Sequence, residues 1–221
     1  MSHHAMMFIM IRAGTVPGEF YHILCRGNNK NIIFQDDEDR KRLLVTIFTS
    51  HSDFAIPDYY RLTKFVSTNS RLVLPDDMAF RVKESRFLKL NSFVFMDNHL
   101  HLAVEEKSKL GVARFTQRFL NSYTKYWNTR YDLKGHLFEG PYKIVHVESN
   151  EQLLYLSTYI HRNPRDLPGW KDREHMYPWS SCSDYLEGTD WQGLLDKKVI
   201  LDQLENGLSY EELMMNSTAK E

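Results

Sequence analysis

Two histidines stand one residue apart in the apolar run MDNHLHLAV, which covers residues 96–104. Side chains of a β-strand alternate between its faces, so His99 and His101 would lie on one side of a strand and the leucines on the other. Imidazole is the commonest protein ligand for divalent metals, and two neighbouring rings on one strand face can reach one ion. Two unconnected surface histidines are the alternative, and the pair alone does not decide between them.

A tyrosine and an asparagine supply further candidate groups in the segment YLSTYIHRNP, residues 155–164. Tyr159 and Asn163 are four residues apart and therefore about one turn apart on the same side of a helix. An amide oxygen suits Mg²⁺ or Mn²⁺, and the phenol of Tyr159 would then lie beside the ion. A half-buried tyrosine with a hydrated hydroxyl is the alternative for Tyr159.

The region from residue 109 to 147 carries seven basic residues against two acidic ones, although the formal net charge of the chain is -1. Aromatic residues are interleaved with these charges, which suits single-stranded nucleic acid, because cations track phosphates and rings stack on bases. A solvated helix face over an aromatic core is the alternative. Tyr123 in this region is a second candidate nucleophile, but its spacing with Phe119 and Tyr126 favours a core position.

Hydrophobic periodicity predicts a simple order of elements around these groups. Strands are predicted at 20–26, 87–96, 99–105 and 142–147, and helices from 36 to about 51, over 109–131 and from 149 to about 163. Two split βαβ halves in this order make an α+β, ferredoxin-like (RRM-like) sandwich, a four-stranded antiparallel sheet with helices on one face. The two histidines would then stand on the open face of the sheet.

The chain length predicts one domain with an extension. We assign residues 1–166 to the main domain, with an insertion at 53–83 where Pro, Asn and Asp interrupt the periodicity, and residues 167–221 to a packed C-terminal helical extension. Cys25 and Cys182 form no CxxC pair, so neither a disulfide framework nor a thiolate zinc site is indicated. The apolar run at 5–11 is too short to cross a bilayer, and we expect a cytoplasmic protein without a membrane segment.

Four segments of the chain resemble one known family. YHILCRGNN, FMDNHLHLAV, SYTKYWNTRY with GHLFEGPYK, and YIHRNP occur in the order and approximate spacing of the HUH single-tyrosine transposases, specifically the REP-associated tyrosine transposase branch of these insertion-sequence transposases. The resemblance spans about residues 20–164, and YPWSSCSDYLEG is similar to the C-terminal segment of that branch. The chain departs from the pattern at Asp97, where proline is usual, at Pro141, which replaces a basic residue, and in the longer excursion at 53–83.

This resemblance implies that residues 1–166 are an HUH tyrosine transposase-like catalytic domain. It implies Mg²⁺ or Mn²⁺ held by His99, His101 and Asn163, with Tyr159 as the nucleophile. It implies an endonuclease that cleaves and rejoins single-stranded DNA next to palindromic hairpins through a covalent 5′-phosphotyrosine intermediate. The working unit would be a monomer or a homodimer.

Four residues are candidate DNA contacts: Arg26, Asn28, Lys125 and Arg130. The alternative function is a non-catalytic single-stranded nucleic-acid-binding module on the same fold, whose binding would be indifferent to metal. A metal-dependent hydrolase of small molecules is disfavoured, because no acid–base carboxylate pair or third histidine lies at ligand spacing in the sequence.

Overall fold

A four-stranded antiparallel sheet forms the centre of the computed structural model, which describes residues 14–54, 59–66, 71–189, 191–204 and 207–219. The sheet has the order β2-β3-β1-β4, and its strands are β1 (Phe20–Arg26), β2 (Leu88–Met96), β3 (His99–Glu106) and β4 (Lys143–Val147). Each strand agrees with its predicted range to within one residue at either end. This order and the helices between the strands confirm the predicted α+β, ferredoxin-like class.

Eight helices accompany the sheet in the described part of the chain. They are α1 (Asp37–Ser50), α2 (Tyr59–Thr63), α3 (Asp76–Glu84), α4 (Gly111–Tyr131), α5 (Asn150–Arg162), α6 (Cys182–Glu187), α7 (Lys198–Leu201) and α8 (Tyr210–Asn216). Side-chain caps start α1 and α5: Asp36 accepts from the third residue of α1, and Ser149 accepts from the third residue of α5. These helices therefore begin where the sequence predicts them.

The helices cover both faces of the sheet, which differs from the prediction that they share one face. Phe93 and Phe95 of β2 lie opposite leucines of β3, and Phe48 of α1 packs edge-on against Phe93. On the other face, the Tyr159 ring of α5 lies against His22 and His101. The expectation that the histidines stand on an open face is therefore wrong for His101, which is buried beside Tyr159 of α5, whereas His99 stays partly open to solvent.

The predicted insertion at 53–83 contributes to the core, which corrects its description as an excursion outside the core. Its described residues include α2 and α3, and Leu62, Leu72 and Val82 are buried. Arg71 forms ion pairs with Asp184 and with Glu187 of α6, so the insertion is bound to the C-terminal extension. Residues 55–58 and 67–70 of the insertion, and residues 1–13, 190, 205–206 and 220–221 of the two predicted domains, lie outside the described residues.

The C-terminal extension packs along β2, the strand at one edge of the sheet. The backbone N–H of Phe95 donates to the Trp179 carbonyl (2.9 Å), and the Asp196 N–H donates to the Leu90 carbonyl (2.8 Å). Unpaired backbone groups on an edge strand invite pairing with another chain. The extension therefore satisfies β2 from within the same chain.

Candidate metal and nucleophile site

The two histidines of β3 lie on one face of the sheet, as the alternation of strand side chains requires. Strand β1 runs beside β3, and its residue directly opposite His99 is Arg26, while Leu24 lies opposite His101. His22, two residues earlier on β1, shares this face. One sheet face therefore carries three imidazoles and a guanidinium group on two adjacent strands.

The rings of His99 and His101 are neighbours with different exposures. Their centroids are 5.1 Å apart and their planes are nearly perpendicular, at 83°. The His101 side chain is buried, whereas His99 lies partly open to solvent. The pair is close enough to approach one ion from two directions, with His99 at the solvent side.

Each of these two imidazoles has a side-chain partner at Nδ1. Asn98 Oδ1 lies 2.6 Å from His99 Nδ1, and His22 Nε2 lies 2.8 Å from His101 Nδ1. The His22 and His101 rings are nearly parallel, with centroids 5.0 Å apart. Burial lowers the pKa of His22 to about 4, so its ring is neutral at pH 7.

Tyr159 meets this cluster from α5. Its ring stands edge-on to His101 at 5.5 Å and 89°, and edge-on to His22 at 6.1 Å and 75°. The Tyr159 side chain is only partly buried. A phenol that belongs to a helix thus lies beside imidazoles that belong to the sheet, and solvent reaches it.

Asn163 follows α5 in a short 3-10 turn and is fully buried. Its Nδ2 donates to the Tyr159 carbonyl (2.7 Å), while its Oδ1 has no hydrogen-bond partner among the described residues. A buried polar atom without a partner costs about 1–3 kcal/mol. A hard divalent cation would satisfy such an oxygen, so the donor chemistry of His99, His101 and Asn163 fits Mg²⁺ or Mn²⁺.

Carboxylate and thiolate ligands do not add to this donor set. Within the described ranges, no group of three His, Cys, Asp or Glu side chains is arranged to hold a metal ion. Asp97, the departure from the family pattern next to the pair, has its carboxylate bound by Arg40 at 2.9 Å. The ligand set inferred from the sequence, two imidazoles and one amide, therefore remains a prediction.

Comparison with known proteins finds a family model that matches part of the chain and a solved structure with a similar fold. The family model described as "Transposase IS200 like" matches residues 64–163, a little under half of the chain. The solved structure of a REP-associated tyrosine transposase bound to a REP hairpin matches with a TM-score of 0.51 and 12% sequence identity, over 81% of this chain and 86% of that chain. The predicted resemblance to single-tyrosine transposases is confirmed. A comparison with curated proteins finds no match.

The segment that matches the IS200-like transposases contains the whole candidate site on β3 and α5. His99, His101, Tyr159 and Asn163 all lie between residues 64 and 163. Arg26, from strand β1, lies before the matched segment but joins the site through the sheet register. The transposase-like site is therefore assembled from the matched segment and the strand that precedes it.

The predicted DNA contacts of this transposase-like chain fall into two groups. Arg26 lies on the histidine face, and Asn28 is exposed in the turn that follows β1. Lys125 is exposed on α4 and lines a surface groove with His136 of the following loop. That loop reaches the first group, because the Asn28 N–H donates to the carbonyl of Leu137 (2.8 Å).

Arg130, the fourth predicted DNA contact, forms ion pairs within the protein. Its Nη2 lies 2.6 Å from Asp36 and its Nη1 lies 2.7 Å from the buried carboxylate of Asp39. The hydroxyls of Tyr126 and Tyr131 also donate to Asp39, at 2.8 Å each. Binding of a phosphate by Arg130 would compete with this network, so Arg130 joins α1 to α4.

Tyr123, the competing nucleophile, is a core residue, as its spacing predicts. It is fully buried, and its hydroxyl donates to the carbonyl of Ile33 (2.7 Å). Burial raises the pKa of Tyr123 well above its ordinary value, which disfavours the phenolate that an attack requires. Between the two candidate tyrosines, only Tyr159 lies beside the imidazoles.

Sequence reasoning missed His22 and Asn98 as parts of the site. The alternation in FYHILCR places His22 on the face opposite Tyr21, but only the pairing of β1 with β3 brings it to His101. Asn98 lies in the turn between β2 and β3, and its contact with His99 depends on the side-chain geometry of that turn. In the described part of the chain, no helix is both long and apolar enough to cross a bilayer.

Proposed function

We propose that this chain is a tyrosine transposase-like endonuclease that cleaves and rejoins single-stranded DNA next to a palindromic hairpin. The observation that carries the proposal is the Tyr159 ring held edge-on to His101 at 5.5 Å, beside a second imidazole on the same strand. The transposase family match and the similarity in fold to a transposase bound to a REP hairpin support it.

The chemistry is an exchange of one phosphodiester for another. The Tyr159 oxygen attacks phosphorus, the bond from phosphorus to the 3′ oxygen breaks, and the DNA 5′ phosphate stays on the tyrosine. The proton that the phenol loses appears on the released 3′ hydroxyl, so the exchange is balanced. The 5′-phosphotyrosine bond keeps the capacity for rejoining to a 3′ hydroxyl.

The side chains divide the work between metal binding, positioning and charge. His99, His101 and Asn163 would hold Mg²⁺ or Mn²⁺, which when bound neutralises the charge of the scissile phosphate. Arg26, directly opposite His99, would contact a phosphate on the same sheet face. Asn28 and Lys125 would contact the DNA farther from the reacting bond.

The binding-module alternative requires an open sheet face. A non-catalytic module of this fold binds single strands on an open sheet face. Here α5 covers the histidine face and α1 packs on the other. The same fold with both faces covered favours chemistry at the junction of α5 and the sheet over stacking of bases across it.

A covalent-adduct assay tests the proposal. The wild-type chain, incubated with Mn²⁺ and a 3′-labelled hairpin oligonucleotide with a single-stranded flank, should give a labelled protein band on a denaturing gel. Tyr159→Phe should abolish this band. Tyr155→Phe, which removes an exposed hydroxyl from the same helix, should keep it, and EDTA should remove it.

Two results would reject the proposal. An adduct that survives Tyr159→Phe and disappears with Tyr123→Phe would show that Tyr123 of α4 is the nucleophile. Hairpin binding without any adduct, equal in Mn²⁺ and in EDTA, would leave only the binding-module alternative.

A further inference from the structure

The Asn98 side chain has one possible orientation, because both of its ends have partners. Its Nδ2 donates to the carbonyl of Lys30 (3.0 Å), which leaves Oδ1 facing His99 Nδ1 at 2.6 Å. An amide oxygen only accepts, so His99 Nδ1 must carry the hydrogen. In a neutral imidazole the lone pair then lies on Nε2, which is the atom through which this ring would bind a metal.

The loop after β1 holds the turn that carries Asn98. The Gly27 N–H donates to the Asn98 carbonyl (2.8 Å), and the Ile33 N–H donates to the Asp97 carbonyl (2.9 Å). A Cβ at Gly27 would lie 2.1 Å from the Asn31 carbonyl oxygen, so only glycine fits this close approach. The segment 27–33 therefore fixes the backbone from which Asn98 reaches His99.

The hydrogen bond between His22 and His101 can run in two directions. If His22 Nε2 carries the hydrogen, His101 Nδ1 accepts, and the single N–H of a neutral His101 is then at Nε2. If His101 Nδ1 carries the hydrogen, His22 Nε2 accepts, and the His101 lone pair lies on Nε2. Only the second arrangement gives His101 the same form as His99.

We propose that His22 and Asn98 are positioning residues that hold His101 and His99 as Nδ1–H imidazoles, so that both present Nε2 to one divalent cation. This inference deepens the proposed function and rests on it. The side-chain Oδ1 of Asn98 accepts from the ring of His99, and Nε2 of His22 accepts from the ring of His101, at 2.6 and 2.8 Å. Partners at the second ring nitrogen orient metal-binding histidines, and their loss typically costs 10–100-fold in metal affinity.

Manganese binding to the full chain without DNA tests the role of His22. His22→Phe removes the acceptor but keeps a planar ring. It should raise the Mn²⁺ dissociation constant, measured by titration calorimetry, by about 10–100-fold. His22→Gln supplies an amide oxygen that can accept from His101 Nδ1, and should recover most of the affinity. Asn98→Ala should weaken binding in the same direction as His22→Phe.

His146 provides a matched control on the same sheet. It lies on β4 opposite Tyr21, hence on the other sheet face from His22, and its Nε2 is 2.8 Å from Glu19. His146→Phe should leave Mn²⁺ affinity at the wild-type value. Wild-type affinity in His22→Phe, or an equal loss in His146→Phe, would overturn the positioning role.

Nitrogen NMR of the metal-free wild-type chain reads the same inference without any substitution. With ¹⁵N-labelled histidine, His99 and His101 should both show the hydrogen on Nδ1. A hydrogen on Nε2 of either ring would overturn the inference even if His22→Phe does not fold. If the wild type forms the DNA adduct while His22→Phe binds Mn²⁺ normally, this inference fails and the proposed function stands. If the wild type binds no Mn²⁺ at all, both fail.

Discussion

His51 should make this protein sensitive to mild acid. It follows α1, is fully buried and packs edge-on to Phe48, and neither ring nitrogen has a hydrogen-bond partner among the described residues. Burial, with a smaller contribution from the nearby Arg86 charge, lowers the pKa of His51 to about 3. The native state therefore resists a proton that the unfolded chain accepts near pH 6.5.

The size of this effect follows from proton linkage. Because the pKa of His51 is lower in the folded than in the unfolded state, the associated stability is present above about pH 6.5 and is lost as pH falls toward about 3. Between pH 7 and pH 5 one such group costs roughly 2 kcal/mol of the free energy of unfolding. His161 and His22, whose pKa values burial lowers to about 3 and about 4, add losses of the same sign.

A single substitution isolates the share of His51. Urea unfolding at pH 7 and at pH 5, followed by far-UV circular dichroism, gives the free energy of unfolding at each pH. The difference between the two should shrink by about 2 kcal/mol in His51→Leu, whatever the substitution does to stability at pH 7. His136→Leu, at an exposed loop position, should keep the wild-type difference. An unchanged difference in His51→Leu would refute the assignment of a buried neutral imidazole.

Two further substitutions test the network that joins α1 to α4 and the loop that holds the turn of Asn98. Asp39→Ala should lower the free energy of unfolding by about 3–5 kcal/mol in urea, because an arginine and two tyrosine hydroxyls lose the buried carboxylate to which they donate. Gly27→Ala should lower the free energy of unfolding by about 1–3 kcal/mol and also weaken Mn²⁺ binding, because its Cβ would meet the Asn31 carbonyl oxygen. Gly14→Ala is the control: its Cβ would lie in open space, and the substitution should change neither the free energy of unfolding nor Mn²⁺ binding.

Local patterns were sufficient for the elements and for the faces on which the two histidines and Tyr123 lie. The period-two run on β3 separates the histidines from Leu100 and Leu102, and this separation depends only on strand geometry. The three- and four-residue spacing around Tyr123 placed that ring in the core, where the structure has it. Both predictions succeed because neighbours along the chain decide them.

Long-range packing explains what the sequence could not predict. Whether α5 returns to the face already covered by α1 depends on its connection and on the extension that follows, and neither has a local signature. The contact of His22 with His101 joins residues 79 positions apart through the strand register. The ion pairs of Arg130 with Asp36 and Asp39 join residues more than 90 positions apart, so no local pattern indicates them.

The pairing of β2 with the C-terminal extension imposes an order on folding during synthesis. Asn91 donates to the carbonyl of Asp196, 105 residues later, and the neighbouring Leu90 carbonyl receives the Asp196 N–H. At a translation rate of about 5–20 residues per second, the backbone groups at this edge of β2 stay unpaired for roughly 5–20 s before residue 196 is synthesised. A nascent chain that stalls on the ribosome before residue 196 would therefore expose β2 as an edge strand that is prone to aggregate.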